Sequence, residues 1–419
     1  MGLGLVQSSL SARLLGVYNF GLLGIITDSA STINNLFSFR MGELIVKYLG
    51  DYIEEQEPQK AGALVKGAAL VEASFSVLAF CFLLLVSPWL SRFIAHDASL
   101  QPVFMLYGGI ILSNMVFETS YGVVQVLGLF RGHAIINSVQ SAVTAVLIGI
   151  AFFTNGGLTD VLFAYFVGKL ILGIGPVALA IRGLNKQLGK RWWAASLKGL
   201  PQWKELLHFG LGSNFSATVN MIVRDSELLW VGYFLSPVEV GYYKVAVAIN
   251  RYLLMPINPF IQTTYPEINR RVKAKEWAGL RDFLRRVTSF STLWTVSTGI
   301  GLLVLGKWVI QLYAGAEYLP AYPALMILLV GYGLANTFFW NRSLLLSFGD
   351  SLYAFVSMLS AGMVKLLGAF WLVPQFGYLA EAGLFAFYFL TSVGMNLLRG
   401  VSLLRKAEKK QEPAKEETS

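Results

Sequence analysis

The sequence is poor in charge and nearly empty of cysteine and histidine. Of its 419 residues only 14% are Asp, Glu, Lys or Arg and 55% are hydrophobic, whereas a soluble domain carries about 25% charged residues. A soluble globular class is therefore excluded. The one cysteine, Cys81, lies in an apolar run, which rules out an intrachain disulfide and a cysteine-based metal centre. His96, His133 and His208 are scattered without ligand-like spacing and leave no credible Ser/His/Asp set. There is no G-x-x-x-x-G-K-[ST] loop, so ATP is not expected as the direct energy source. "GLGSNF" from Gly210 is a lone G-x-G within a helical pattern and carries no weight. The opening residues lack the basic n-region, short apolar core and small-residue cleavage site of a signal peptide. Neither enzymatic chemistry nor a cofactor is expected.

What the chain does have is long apolar stretches and a mean hydropathy of +0.59. About 20 apolar residues at 1.5 Å each cross a bilayer, and stretches of that kind lie near 17 to 46, 63 to 90, 101 to 130, 134 to 154, 158 to 181, 206 to 235, 239 to 266, 287 to 313, 321 to 347, 351 to 373 and 378 to 404. The reading is an all-α, polytopic membrane protein of eleven spans. The net charge of +9 reflects topology and not nucleic-acid binding, because the cations gather in alternate connections. "RGLNKQLGKRWWAASLKGLPQWKE" and "NRRVKAKEWAGLRDFLRR" are strongly basic, while "TNGGLTD", "SPVEVG" and "YAGAEYLPAY" contain no Lys or Arg. The positive-inside rule places the basic connections and the C-terminus in the cytoplasm.

An internal repeat organises these spans. "RLLGVYNFGLLGI" from Arg13 matches "YFLSPVEVGYYKV" from Tyr233 at an offset of 220, and "LSNMVFE" from Leu112 matches "LANTFFW" from Leu334 at an offset of 222. The register places only Met1–Leu15 of the first helix in this chain, about half a span. The expected organisation is an N-terminal bundle at 1–182, a basic cytoplasmic linker at 183–205, a C-terminal bundle at 206–405 and a disordered tail at 406–419.

The "LSPVEVGYY" hairpin, the following helix that ends in "YPEINRR", and two six-helix halves without large loops together resemble the Wzx-type oligosaccharide flippases of the multidrug/oligosaccharidyl-lipid/polysaccharide exporter superfamily. The resemblance is strongest from Phe209 to Arg271. It implies two pseudo-symmetric six-helix bundles around a central cavity in a bacterial inner membrane, a pattern from which the expected truncation of the first helix departs. It also implies an undecaprenyl-pyrophosphate-linked oligosaccharide as substrate, carried outward by alternating access, with membrane lipids and other polysaccharide-assembly proteins as partners. Two alternatives stand beside it: a multidrug or small-molecule antiporter of the same superfamily, and a membrane-embedded glycan polymerase or ligase.

Lys244, Arg251, Asn258 and Tyr265 recur every seven residues, close to two helical turns, and are expected to form one polar stripe. Arg251 falls near mid-membrane, and Arg224 on the preceding helix is expected at similar depth. Paired guanidinium groups suit a pyrophosphate; equally, Arg224 or Arg251 could pair structurally with Asp225 or Glu227. Lys169 and Lys365 lie deep in their spans and complete the candidate substrate contacts. Asp28, with Thr32 and Asn35 on its face, Glu118 beside Asn114, and Asp225 are candidates for binding a coupling proton or sodium ion, and Asp28 could equally be a packing residue. Pro256 and Pro259 predict a kink. A reporter fused after Lys198 or Lys275 is expected to be cytoplasmic and one at Gly315 external; a cytoplasmic Gly315 would overturn the orientation.

Overall fold

The computed structural model describes residues 2–38, 40–197, 218–219 and 221–411, and the regular elements among them are helices. The first compact unit runs from Met1 to Pro237 and the second from Val238 to Ser419. In the first are α1 (Gly2–Leu36), α2 (Met41–Glu54), α3 (Pro58–Trp89), α4 (Gln101–Gly108), α5 (Ile110–Ser113), α6 (Phe117–Val126), α7 (Phe130–Phe153), α8 (Leu158–Gln187) and α9 (Glu227–Phe234). Beginning at the boundary come α10 (Pro237–Leu254), α11 (Asn258–Lys273), α12 (Trp277–Tyr313), α13 (Ala321–Thr337), α14 (Asn341–Ser347), α15 (Ser351–Phe376) and α16 (Tyr378–Gln411).

These two series repeat element by element. Pro58 and Trp277 open α3 and α12, 219 residues apart; Gln101 and Ala321 open α4 and α13 at 220; Phe130 and Ser351 open α7 and α15 at 221; Leu158 and Tyr378 open α8 and α16 at 220. The sequence offset of 220 to 222 is thus a structural duplication. Within α1, Gly16 has φ 66° and ψ 173° and joins two helices; that backbone is accessible without strain only to glycine. Gly16 stands 220 residues before Ser236, which precedes the first residue of α10. The break therefore falls where the repeat register ends the first helix.

Among the described residues nine helical stretches are long and apolar enough to cross a membrane, against eleven expected. Of the expected span 206 to 235, residues 206–217 and 220 lie outside the described residues. The span 239 to 266 is divided by a 3-10 turn at Met255–Ile257, centred on Pro256, whose ring removes an amide donor from the helix. This separates Lys244 and Arg251 on α10 from Asn258 and Tyr265 on α11, so the expected four-residue stripe is not continuous. The span 17 to 46 is also divided, because the chain leaves α1 at Leu36 and enters α2 through Arg40 in the left-handed conformation, φ 49°. The tail is corrected as well: residues 406–411 continue α16, as their Ala, Glu, Lys and Gln content favours, and Glu408 pairs with Arg281.

Large apolar side chains face outward, as Phe153 (85% exposed) and Val304 (76%) do. Such apolar exteriors suit lipid, not water. Between helices, small residues permit close contact. A Cβ at Gly173 would come within 2.3 Å of the Ser113 carbonyl oxygen, so the α8 backbone rests directly on α5. The packing boundary at Pro237 lies downstream of the basic 183–205 segment because α9 packs on the first unit. Gly232 sits against Ile94 and Ile25, and its carbonyl lies 2.9 Å from His96 Nε2.

In the second unit Lys365 of α15 and Glu381 of α16 form an ion pair with Nζ 2.9 Å from Oε1, and neither side chain has exposed area. The ammonium also lies 4.8 Å from the centre of the Phe385 ring. The Glu381 carboxylate takes no hydrogen bond from another described residue, so it depends on Lys365. Lys365→Met alone strands a buried carboxylate at a cost of about 3 to 5 kcal/mol. Membrane abundance and the thermal midpoint of the purified protein are expected to fall, and adding Glu381→Leu is expected to restore most of both. Equal loss in the single and double variants would contradict this pairing.

Candidate functional site

Both units contain a helix that breaks in mid-course. In the first the break is at Asn114–Val116, between α5 and α6; in the second it is at Phe338–Trp340, between α13 and α14. Each break strands backbone groups at membrane depth, which must find partners inside the protein. Glu72 supplies them in the first unit. Its Oε1 accepts the Glu118 amide at 2.8 Å and its Oε2 the Thr119 amide at 2.9 Å, across the first turn of α6. Glu72 is buried, 8% exposed, on the long apolar helix α3. The Glu118 side chain in turn accepts the Ser38 hydroxyl at 2.7 Å. Ser38 lies in the connection between α1 and α2, so the α6 N-terminus is wired to that connection.

The second unit solves the same problem without charge. Ser291 Oγ donates to the Thr337 carbonyl at 2.8 Å, Asn336 Nδ2 to Thr295 Oγ1 at 2.9 Å, and Trp340 Nε1 to Thr288 Oγ1 at 2.8 Å. Beyond the break, Asn396 Nδ2 donates to Asn341 Oδ1 at 2.9 Å, and Asn396 Oδ1 accepts the Ser357 hydroxyl at 2.6 Å. These hydroxyls and amides lock the break into α12, α15 and α16. At the α3/α12 offset of 219, Ser291 is the repeat counterpart of Glu72.

A polar file runs along the face of α8 in the first unit. Tyr165, Lys169 and Gly173 follow at four-residue intervals and share a face. Buried Tyr107 of α4 lies within electrostatic reach of both Tyr165 and Asp28 of α1. Asn114 Oδ1 at the helix break is 3.0 Å from where a Gly173 Cβ would stand. Lys169 is between these two levels. It is eleven residues from the start of α8, about 16 Å into the membrane, and half-buried. It makes no hydrogen bond or ion pair among the described residues. The file thus combines a carboxylate, two phenols, an amide and a cation whose donors are unused among the described residues.

The other sequence candidates are placed as follows. Arg224 and Asp225 are in a π-helical turn, Met221–Asp225, with Nε 4.0 Å from Oδ1 and both side chains about half exposed. In that setting the contact contributes little. Glu227, named as a structural partner, is buried at 3% exposure at the start of α9. Asn214, whose helical spacing would set it on one face with Thr218, Met221 and Asp225, lies outside the described residues. Arg251 is exposed and Lys244 half-buried on α10, in the second unit, while Arg224 belongs to the first. Asn258 is exposed at the first position of α11. Lys365 is taken up by Glu381. Asp28 and Glu118 lie in the first unit but in different settings, one beside Tyr107 and the other beside the α6 N-terminus. Sequence reasoning missed Glu72; the signal was an acid inside the apolar run "GAALVEASFSVLAF".

Residues 1–271 match the family described as Polysaccharide biosynthesis protein. The inner membrane protein YghQ of Escherichia coli K12 is 23% identical over 330 residues, covering 76% of this chain and 90% of that protein. Among solved structures, an inward-facing multidrug resistance MATE family transporter of the MOP superfamily superposes with a TM-score of 0.79 at 13% identity, covering 97% of this chain and 95% of that one. The lipid II flippase MurJ superposes with a TM-score of 0.72 at 14% identity, covering 95% of this chain and 84% of that one. At such identities the likeness is one of fold. The match over residues 1–271 spans more than half of the chain, and this protein, built on the MOP-superfamily fold, belongs to the polysaccharide biosynthesis protein family.

Proposed function

We propose that this protein is a flippase that carries a lipid-linked oligosaccharide, with an undecaprenyl-pyrophosphate anchor, across the bacterial inner membrane by alternating access of its two repeats. The observation that carries the reading is Lys169. A cation at mid-membrane costs about 2.5 to 3.5 kcal/mol on insertion scales, and proteins keep such a group where it meets a partner or a wet cavity. Lys169 has no acceptor of its own among the described residues, so a substrate oxyanion is the partner that its position suits. The tyrosines and Asn114 beside it offer hydroxyl and amide groups to a sugar or phosphate. A multidrug antiporter for cations would gain nothing from this lysine, and a polymerase or ligase would need acid–base chemistry that scattered histidines do not offer.

In this reading Arg251, Lys244 and Asn258 are the second unit's candidates for contacting the head group, with Arg224 held in the same role. Asp28, Glu118 and Asp225 remain candidates for a coupling ion, and the C-terminus faces the cytoplasm. The family assignment and the MurJ-like fold support lipid-linked cargo over a soluble one.

Lys169→Met removes the charge while keeping an apolar stem. Export of the glycan is expected to fall roughly 10- to 100-fold, as loss of charge-assisted hydrogen bonds implies, with the amount of protein in the membrane unchanged. Lys169→Arg is expected to keep part of the export. The check is surface glycan measured together with membrane abundance in a strain whose own copy is deleted; wild-type export by Lys169→Met would sink the assignment.

A further inference from the structure

Glu72 is an expensive answer to a problem the protein solves elsewhere with hydroxyls. The second unit closes its helix break with Ser291, Thr288 and Thr295, and Ser291 is 219 residues after Glu72, at the offset that relates α12 to α3. A buried charge is far costlier than a buried hydroxyl. Glu72 has no Lys or Arg partner among the described residues. Of the described groups packed on α3 from α1, α2, α4, α5, α6 and the turns at Leu90–Ile94 and Trp192–Ala194, the charged one that acts on Glu72 is Glu118. Two carboxylates with no cation between them form a site that a proton relieves.

We infer that Glu72 is the proton-coupling residue of the first unit and that its protonation releases the N-terminus of α6. The inference rests on the transport reading above. As a carboxylate, Glu72 accepts at both oxygens, one for the Glu118 amide and one for the Thr119 amide. A proton taken from the aqueous phase binds one of these oxygens and turns it into a donor. No other bond forms or breaks. One of the two amides then faces a hydroxyl hydrogen, and the attraction between the carboxylate charge and the helix N-terminus is lost. The freed end of α6 carries Glu118 with it. Because Glu118 holds Ser38, the release reaches the connection between α1 and α2, and because Asn114 in the break lies beside Gly173, it also reaches the face of α8 that presents Lys169. Proton occupancy and the substrate-facing lysine are thereby linked through contiguous contacts within one unit.

The test is amide hydrogen exchange of the whole protein in lipid nanodiscs, without substrate, corrected for the intrinsic pH dependence of exchange. In the wild type, the amides of residues 114–122 are expected to exchange about tenfold faster near pH 5.5 than near pH 8, the scale set by losing charge-assisted hydrogen bonds. Glu72→Gln is expected to hold the segment at the fast level at both pH values, and Glu43→Gln, exposed on α2, to leave the wild-type profile intact. A flat wild-type profile, or a pH dependence that survives in Glu72→Gln, would overturn the proposal. A profile that follows sodium concentration at fixed pH would overturn the assignment to protons. If Glu72→Gln does not accumulate, the wild-type profile still decides. Because no substrate is present, failure here is distinct from failure of the export reading, which the Lys169 variants report.

Discussion

Breaking a helix in the middle of a membrane strands N–H and C=O groups where no water reaches them, and both units of this protein are built around such a break. The long helix next to each break, α3 in the first unit and α12 in the second, supplies the missing partners. Glu72 takes the orphaned amides at the start of α6; Ser291 gives its hydroxyl to the orphaned carbonyl at the end of α13. Without these partners the breaks would close into continuous helix or open to water. Their presence lets irregular backbone line the interior, where polar atoms are available to a ligand.

Duplication sets the frame and divergence sets the function. The two units share their order of elements at an offset of about 220 residues, yet they treat charge in opposite ways. In the second, Lys365 and Glu381 neutralise each other out of contact with solvent, and a chain of amides and hydroxyls, Ser357, Asn396 and Asn341, fixes the break. In the first, Lys169, Asp28, Glu72 and Glu118 are distributed over several helices, and Glu72 spends its carboxylate on backbone amides of the break.

Much of this could be read from the sequence, and the failures have physical causes. Helix-length apolar runs, the repeat and the Pro256 interruption are local or periodic features, and each appears in the structure. The Lys244 to Tyr265 stripe failed because periodicity assumes an unbroken helix and the Met255–Ile257 turn interrupts it. Lys365 read as a substrate contact because its counter-ion is 16 positions away on the next helix and no spacing rule connects them. Glu72 was passed over because its partners are backbone amides 46 and 47 residues further on, which a sequence does not display. Setting Glu72 over Ser291 in the repeat would have drawn notice to it, since an acid opposite a serine in an apolar helix has to be explained.

The central claim is translocation of a lipid-linked glycan, and purified protein reconstituted into liposomes tests it most directly. Undecaprenyl-pyrophosphate oligosaccharide would be placed in both leaflets and treated from outside with a membrane-impermeant glycosidase. Vesicles that contain the protein are expected to lose nearly all of the glycan, because inner-leaflet molecules are brought out to the enzyme, whereas empty vesicles should lose only the outer-leaflet share. Identical loss from both, with protein insertion verified and a proton gradient imposed in either direction, would contradict the account.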